Sequence, residues 1–424
     1  MRNWFTGLYR HPDFMKLWIG QTISEFGSRI TRGGLPLVAL LVLDAAPDQM
    51  GILSAVSALP VLLFGLFAGV FVDRVRRRPI MIACDLLRFA ALLTIPVAAL
   101  TGTLTIGLVY AVAAVVAALA LIFEIAYRAY LPTLIERDQV IEGNAKLGTT
   151  DALAEIGGPA ITGVLVSLIT APIAILFDAL SFLVSVVTVR SIRTPEPPPP
   201  ERNNEGSAIR AVIQELVEGI RHIAADPILR TLAASMGLRA FFGSFIGTLY
   251  DLYAVRVLGL SPFTLGLLIA CGGIGALLGA SVAGWLPKRI GIGRAITTAL
   301  IVSGAINLAI PLAGVDTRFA VPLLIAAQII GDGAMMVYWV NEVSLRQMRV
   351  PDRLMGRVNA GFGFLAEGIA PVGALGAGVI AISIGAGSTL WIATIGILVT
   401  AIWVWLSPVR RLDAIQLIIE GNST

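Results

Sequence analysis

The chain has 424 residues, 57% of them hydrophobic and only 14% charged, with a formal net charge of +4. A soluble domain carries roughly 25% charged residues, so the composition excludes an ordinary soluble enzyme or binding module of this length. The basic balance does not imply a nucleic-acid partner, because the Lys and Arg residues lie between apolar runs of about 20 residues or more, each long enough to cross a bilayer.

The opening stretch "MRNWFTGLYRHPDFMKLW" lacks a short apolar core followed by a small-residue cleavage site, so the first span is expected to serve as the insertion signal. In chain order the apolar runs predict twelve helical spans, near 14–43, 50–72, 79–101, 104–130, 146–170, 172–190, 230–257, 263–287, 292–314, 318–344, 354–383 and 387–407. The first span carries Glu25, Arg29 and Arg32 at helical spacing on one face. Ionisable groups at that depth cost about 2.5–3.5 kcal/mol each on insertion scales, so they need partners, water or a function. Glu25 and Arg29, four residues apart, are placed to neutralise each other.

Between the second and third spans stands "GVFVDRVRRRPIM", Gly69 to Met81, with Asp73 and four arginines in one turn. The fifth span carries Asp151, Glu155 and "GGPAITG", in which Gly157, Gly158 and Pro159 predict a bend and close approach of a neighbour. Asp178 falls in the sixth span, Arg239 and Asp251 in the seventh, Asp332 in the tenth and Glu367 in the eleventh. Arg239, Asp332 and Glu367 join Glu25, Arg29 and Arg32 as candidates for proton coupling or substrate binding; Asp178 and Asp251 suit packing or inter-helix hydrogen bonds. Cys84 and Cys271 both lie in apolar segments and predict buried thiols without a disulfide framework.

The segment 191–229 separates two sets of six spans, 1–190 and 230–424. Its first part, "TPEPPPPERNNEG", is a Pro-rich linker. Its second part, "SAIRAVIQELVEGIRHIAAD", alternates apolar and charged residues at helical spacing and predicts an amphipathic helix along the membrane surface or under the bundle. The connections themselves alternate. One set is rich in Arg and Lys; the other ("DAAPDQM", "TGT", "TAP", "GLSP", "GVDTR", "GAGS") contains a single arginine, Arg318. The positive-inside rule places the basic set, and both termini, in the cytoplasm.

The two halves echo each other. Asn144-Ala145 matches Asn359-Ala360, and Ala68-Gly69 matches Ala283-Gly284, each at an offset of 215 residues. "EIGGP" at 155–159 and "EGIAP" at 367–371 match at 212. Repeats at about half the chain length predict two six-helix bundles related by a parallel repeat, the architecture of the major facilitator transporters, with binding groups near the bilayer midplane.

The same residues resemble that family closely. "GVFVDRVRRRPIM" is similar to its signature between helices 2 and 3, G-x-x-x-D-R-x-x-R-R/K, with Gly69, Asp73, Arg74, Arg77 and Arg78 in place and Arg76 where many members have Gly. "LWIGQTISEFGSRIT", "AYLPTLIERDQVIEGNAKL", "FDALSFLVSVV" and "RQMRVPDRLMGRVNAGFGFLAEGIAPVGALGAGVI" look like the drug:proton antiporter-3 group, which includes macrolide-efflux and enterobactin-exporter proteins. The resemblance implies proton-coupled export of a lipophilic or amphipathic small molecule from a bacterium, across its cytoplasmic (inner) membrane, by a monomer. It also implies a cytoplasmic gate in which Asp73 meets the start of the eleventh helix and Arg74 and Arg77 reach Glu124. The fifth span resembles the exporters' helix-5 motif in Glu155, Gly157, Gly158, Pro159 and Gly163, with Thr162 where a second Gly is expected.

No ATP-binding G-x-x-x-x-G-K-[ST] loop is present, so the energy source is expected to be a gradient, and no cofactor or metal is called for. No HExxH or G-x-S-x-G motif suggests an intramembrane enzyme. Two further readings stay open at this point: lipid movement, such as lysophospholipid flipping, and a membrane sensor or scaffold that keeps the fold without transport.

Overall fold

The computed structural model describes residues 7–72, 74–197 and 205–412. Fifteen α-helices follow in order: α1 Pro12–Leu41, α2 Pro47–Val72, α3 Arg77–Leu100, α4 Ile106–Leu134, α5 Val140–Ile169, α6 Ala171–Arg190, α7 Glu205–Ala225, α8 Pro227–Leu252, α9 Pro262–Ala283, α10 Leu286–Ile290, α11 Ile292–Asn307, α12 Ala309–Leu312, α13 Ala320–Arg349, α14 Asp352–Ile384 and α15 Ala386–Leu406. Among the described residues, eleven spans are long and apolar enough to cross a membrane. They are the spans expected second to twelfth. The twelfth long helix of the bundle is α1, in which Asp13, Lys16, Glu25, Arg29 and Arg32 interrupt the apolar run. Large apolar side chains stand outward in numbers a soluble surface does not tolerate: Leu100 is 79% exposed, Leu168 76% and Leu406 71%. Lipid tails are the solvent that suits them. The molecule is an all-α, multi-pass membrane protein.

Local chemistry sets the helix ends. Pro sits in the first turn of α1, α8 and α9, where its missing N–H costs nothing. His11 and Ser261 cap α1 and α9 by accepting from Phe14 N and Thr264 N. The ninth span breaks: α11 ends at Asn307 and the chain resumes as α12. Pro311 cannot donate to the carbonyl four residues back, at Asn307, so the ladder loses a rung there. Gly291, at φ +86°, makes the turn from α10 into α11.

The described chain forms two compact units. One comprises Met1–Ala45 and Val56–Ala208, the other Ala46–Ala55 and Ile209–Thr424. In the first, α1 packs on α5 and α6, and α3 on α4 and α6. In the second, α8 packs on α14 and α15, and α11 on α13 and α15. Counting six spans per unit, these are the same four pairings, so the repeat read from short sequence echoes is a repeat of packing.

Each unit also holds part of the middle segment. In the first, Asp13 Oδ2 accepts from Arg193 N and Thr194 N, at 3.0 and 2.8 Å. In the second, α7 lies against α14. A side chain at Gly219 would overlap the carbonyl of Arg357, and Ile223 fills the space left by Gly361. Arg357 Nη1 donates to Glu218 Oε2 at 2.6 Å. Leu216 and Ile223 are buried while Ile213 and Val217 stay half exposed, so α7 keeps part of its apolar face outward.

Candidate transport site

The first unit concentrates its charge where α1, α4 and α5 meet. Arg29, about 25 Å along α1 at 1.5 Å per residue, donates from Nε and Nη2 to Glu25 Oε1, at 2.9 and 2.6 Å. Its Nη1 donates to Glu155 Oε2 on α5. One guanidinium is therefore shared by two carboxylates, each of which was a candidate on its own helix. The glycines explain how. A side chain at Gly158 would overlap that of Arg29, and Gly157 faces the ring of Phe26. Thr162, in the place expected for glycine, donates to the carbonyl of Gly158 at 2.9 Å and is buried. Gly163 is buried beside it, and Pro159 sits inside α5. The small-residue motif thus serves to bring α5 onto the charged face of α1.

Glu124 and Arg128 of α4 add an exposed pair, at 2.5 Å. Asp151 of α5 lies within electrostatic reach of Glu25, Glu124, Arg29 and Arg128. Arg32 lies near Arg29 and Glu25 but makes no ion pair among the described residues. The cluster holds the acids Glu25, Glu124, Asp151 and Glu155 against the cations Arg29, Arg32 and Arg128, an excess of one acid.

The turn after α2 makes contacts beyond those the motif names. Glu124 is bound by Arg128, one helical turn along α4, which needs no reach across the unit; Arg77 does not bond it. Instead the backbone amides of Arg77 and Arg78 donate to the carboxylate of Glu196, at 2.5 and 3.1 Å. Glu196 thereby caps α3, whose N-cap residue Arg76 makes no side-chain cap. The Arg78 side chain donates to the carbonyls of Val189 and Arg190, closing the C-terminus of α6. Gly69 has open space around its Cα, and Arg74 is exposed in the turn. Asp73 lies outside the described residues.

Sequence reasoning missed two buried ion pairs. Asp85 and Arg88, three apart on α3, form one; Asp85 is fully buried, and Arg88 lies between the rings of Phe123 and Phe182, at 4.4 and 4.1 Å. Asp178 of α6, also fully buried, accepts from Ser181 at 3.1 Å and faces Gly27 of α1. The second pair is Glu342 and Arg346 of α13, at 3.6 Å, with Arg346 over the ring of Phe362 at 4.5 Å. A charged residue three or four positions from its opposite inside an apolar span was the available signal for both.

In the second unit the candidates stand apart. No hydrogen bond or ion pair among the described residues joins Arg239, Asp332 and Glu367. Asp332 leans on Gly272 of α9, where a side chain would collide with its carboxylate. Glu367 is exposed on α14. Arg239 meets no carboxylate; it touches the sulfur of Met335 and the ring of Tyr338. Outside the spans, Asp226 caps α8 through Ile228 N and Leu229 N and takes Arg349 Nε at 2.6 Å. Burial works against ionisation there, but these donors hold its carboxyl below the usual aspartate range.

Twelve long helices in two repeated units, with clustered ionisable groups at mid-span, define a secondary transporter of the major facilitator class, not an enzyme. The chain belongs to the transmembrane secretion effector family, whose profile matches residues 6–422. It is 26% identical over 417 residues to the multidrug efflux pump Tap of Mycolicibacterium fortuitum, covering 96% of this chain and 98% of the pump. It is 23% identical over 413 residues to macrolide efflux protein A of Streptococcus pyogenes, covering 94% and 97%. Among solved structures, a bacterial homologue of the iron transporter ferroportin superposes with a TM-score of 0.73 at 14% identity, over 99% of this chain and all of that one.

Proposed function

We propose that this transporter exports lipophilic or amphipathic small molecules across the cytoplasmic membrane of a bacterium in exchange for protons, with its basic loops and both termini in the cytoplasm. The observation that carries the reading is the sharing of Arg29 between Glu25 and Glu155. A proton arriving on either acid cancels that acid's hold on the guanidinium and leaves the other pair intact. The loss of one pair and not the other lets the triad rearrange around Arg29. The names of the efflux relatives support a small-molecule cargo and the export direction.

The test uses the purified protein in proteoliposomes with an imposed pH gradient and labelled erythromycin as probe. Accumulation is expected to follow the gradient in the native protein. Glu25→Gln and Glu155→Gln are expected to bind erythromycin but lose gradient-driven accumulation, with the unfolding temperature little changed. Equal transport after the gradient is collapsed would sink proton exchange. Movement of a labelled lysophospholipid, with none of erythromycin, would replace drug export by lipid transfer.

A further inference from the structure

Among the described residues, the second unit contains a cation with no anion. Arg239 lies about 18 Å along α8, twelve residues past Pro227, near the middle of its span. Its Nη2 rests on the sulfur of Met335, a weak acceptor, and its Cζ lies 4.9 Å from the centre of the Tyr338 ring. Its Nη1 is buried with no hydrogen-bond partner. The nearby acid on α13, Glu342, faces Arg346 through Oε2 at 3.6 Å; its Oε1 is buried without a hydrogen-bond partner, and no hydrogen bond or ion pair among the described residues joins it to Arg239. Two further groups are in the same condition at the same place. The hydroxyls of Tyr338 and of Ser235, which stands one turn before Arg239 on α8, are buried beside each other, and among the described residues neither has a partner outside that pair.

All three groups can donate, and the guanidinium can do nothing else. An arginine cannot shed its proton inside a protein, so the charge is permanent. Leaving such groups unmatched in an apolar interior is costly, and the usual resolution is a partner. No carboxylate of the described chain supplies one. The complement these atoms ask for is an oxygen acceptor carrying negative charge, flat or tetrahedral, that takes two or three donors at once. The flanking surface, with Met335 half-buried against the arginine and Met236 half-buried on the same hydrophobic cluster, suits an apolar body attached to it. Arg239 itself is only partly buried, so part of the guanidinium remains open to a ligand.

We infer that Arg239, with Tyr338 and Ser235, is a binding site for the carboxylate or phosphate of an anionic amphiphile, and that such molecules are among the substrates. The inference rests on the export reading for its consequence but not for the site, because binding is measured without a gradient.

The experiment places the full chain in nanodiscs of phosphatidylcholine, in chloride-free gluconate buffer. The probes are dansylaminoundecanoic acid and its methyl ester. The native protein is expected to bind the acid about tenfold or more tightly than the ester, the worth of one charge-assisted hydrogen bond. Arg239→Gln is expected to bring the acid down to the level of the ester and leave the ester unchanged; Arg239→Lys is expected to keep part of the preference. If Arg239→Gln fails to fold, Tyr338→Phe and Ser235→Ala each remove one donor and are expected to reduce the preference severalfold. Competition by laurate and by lysophosphatidylglycerol tells a free acid from a lipid headgroup as the source of the anion, and displacement by either supports the site. Equal binding of acid and ester by the native protein overturns the proposal, as does an undiminished preference in Arg239→Gln. Absence of the anion preference in the native protein, with erythromycin export intact, would count against this site alone. Loss of export with the preference intact would count against the export reading alone.

Discussion

At the scale of single residues, what decides each role is whether a charge has its counter-charge. Asp85 has one acceptor oxygen on Arg88 and the other, Oδ2, unpartnered in the interior. Removing the cation leaves a fully buried carboxylate with no counter-charge, only the Ser185 hydroxyl beside it. Arg88→Met is therefore expected to destabilise the protein by ~3–5 kcal/mol, whereas Asp85→Asn/Arg88→Met, which removes both charges, should recover most of that loss. Thermal unfolding in detergent reads both; a double variant as unstable as the single would show that Arg88 matters through its packing between Phe123 and Phe182 and not through its charge. The first-unit site was legible in part for the same reason. Glu25 and Arg29 lie four apart on one helix, and that spacing alone predicts the pair. Glu155 is 126 residues from Arg29, and no local pattern ties them. The capture of the Arg77 and Arg78 amides by Glu196 was illegible too, because a backbone donor leaves no trace in residue identity.

At the scale of elements, apolar runs and their flanking Pro and Gly residues located the twelve spans, since twenty apolar residues have few alternatives in a bilayer. Bends and seams were harder to read. The break between α11 and α12 needed Pro311 to be weighed against an otherwise continuous run, and the glycines of α5 gave a close contact without naming Arg29 as what fills it. The start of α8 yields a prediction at this scale. Asp226 holds the first turn of α8 through two amides and the end of α13 through Arg349. Its carboxyl is held below the usual aspartate range, so the unfolded chain binds its proton more readily than the native one. That contribution to stability is complete above the unfolded value of about 4 and fades as the pH falls through the lower native value. Unfolding midpoints measured from pH 6 to pH 3 should fall for the native protein, and fall less for Asp226→Asn, which starts lower. Parallel curves would remove Asp226 from the acid sensitivity.

At the scale of the whole molecule, two patterns that no single helix contains are the repeat and the distribution of charge over the connections. The repeat was visible in short echoes and returns as the same four helix pairings in each unit. The charge pattern makes the remaining prediction, that of orientation. Turns carrying Arg74 to Arg78, Arg137, Lys288 with Arg289, and Arg349 with Arg353 alternate with turns that carry Gly102, Thr170, Gly259 and Gly385. Basic loops resist translocation, so the first set should remain in the cytoplasm. Single cysteines placed in a Cys84→Ala/Cys271→Ala background report the side directly. Thr103 and Ser261 are exposed in the poorly charged turns, and Glu136 and Asp352 in the basic ones. In intact cells an impermeant maleimide should label Thr103→Cys and Ser261→Cys, and should reach Glu136→Cys and Asp352→Cys only after the membrane is opened. The reverse pattern would invert the topology and with it the export direction, because a proton entering down the cellular gradient would then meet the Glu25–Arg29–Glu155 group from the opposite end of α1. A mixed pattern, with one half following the rule and the other not, would break the parallel repeat, since its two units must cross the membrane in the same sense.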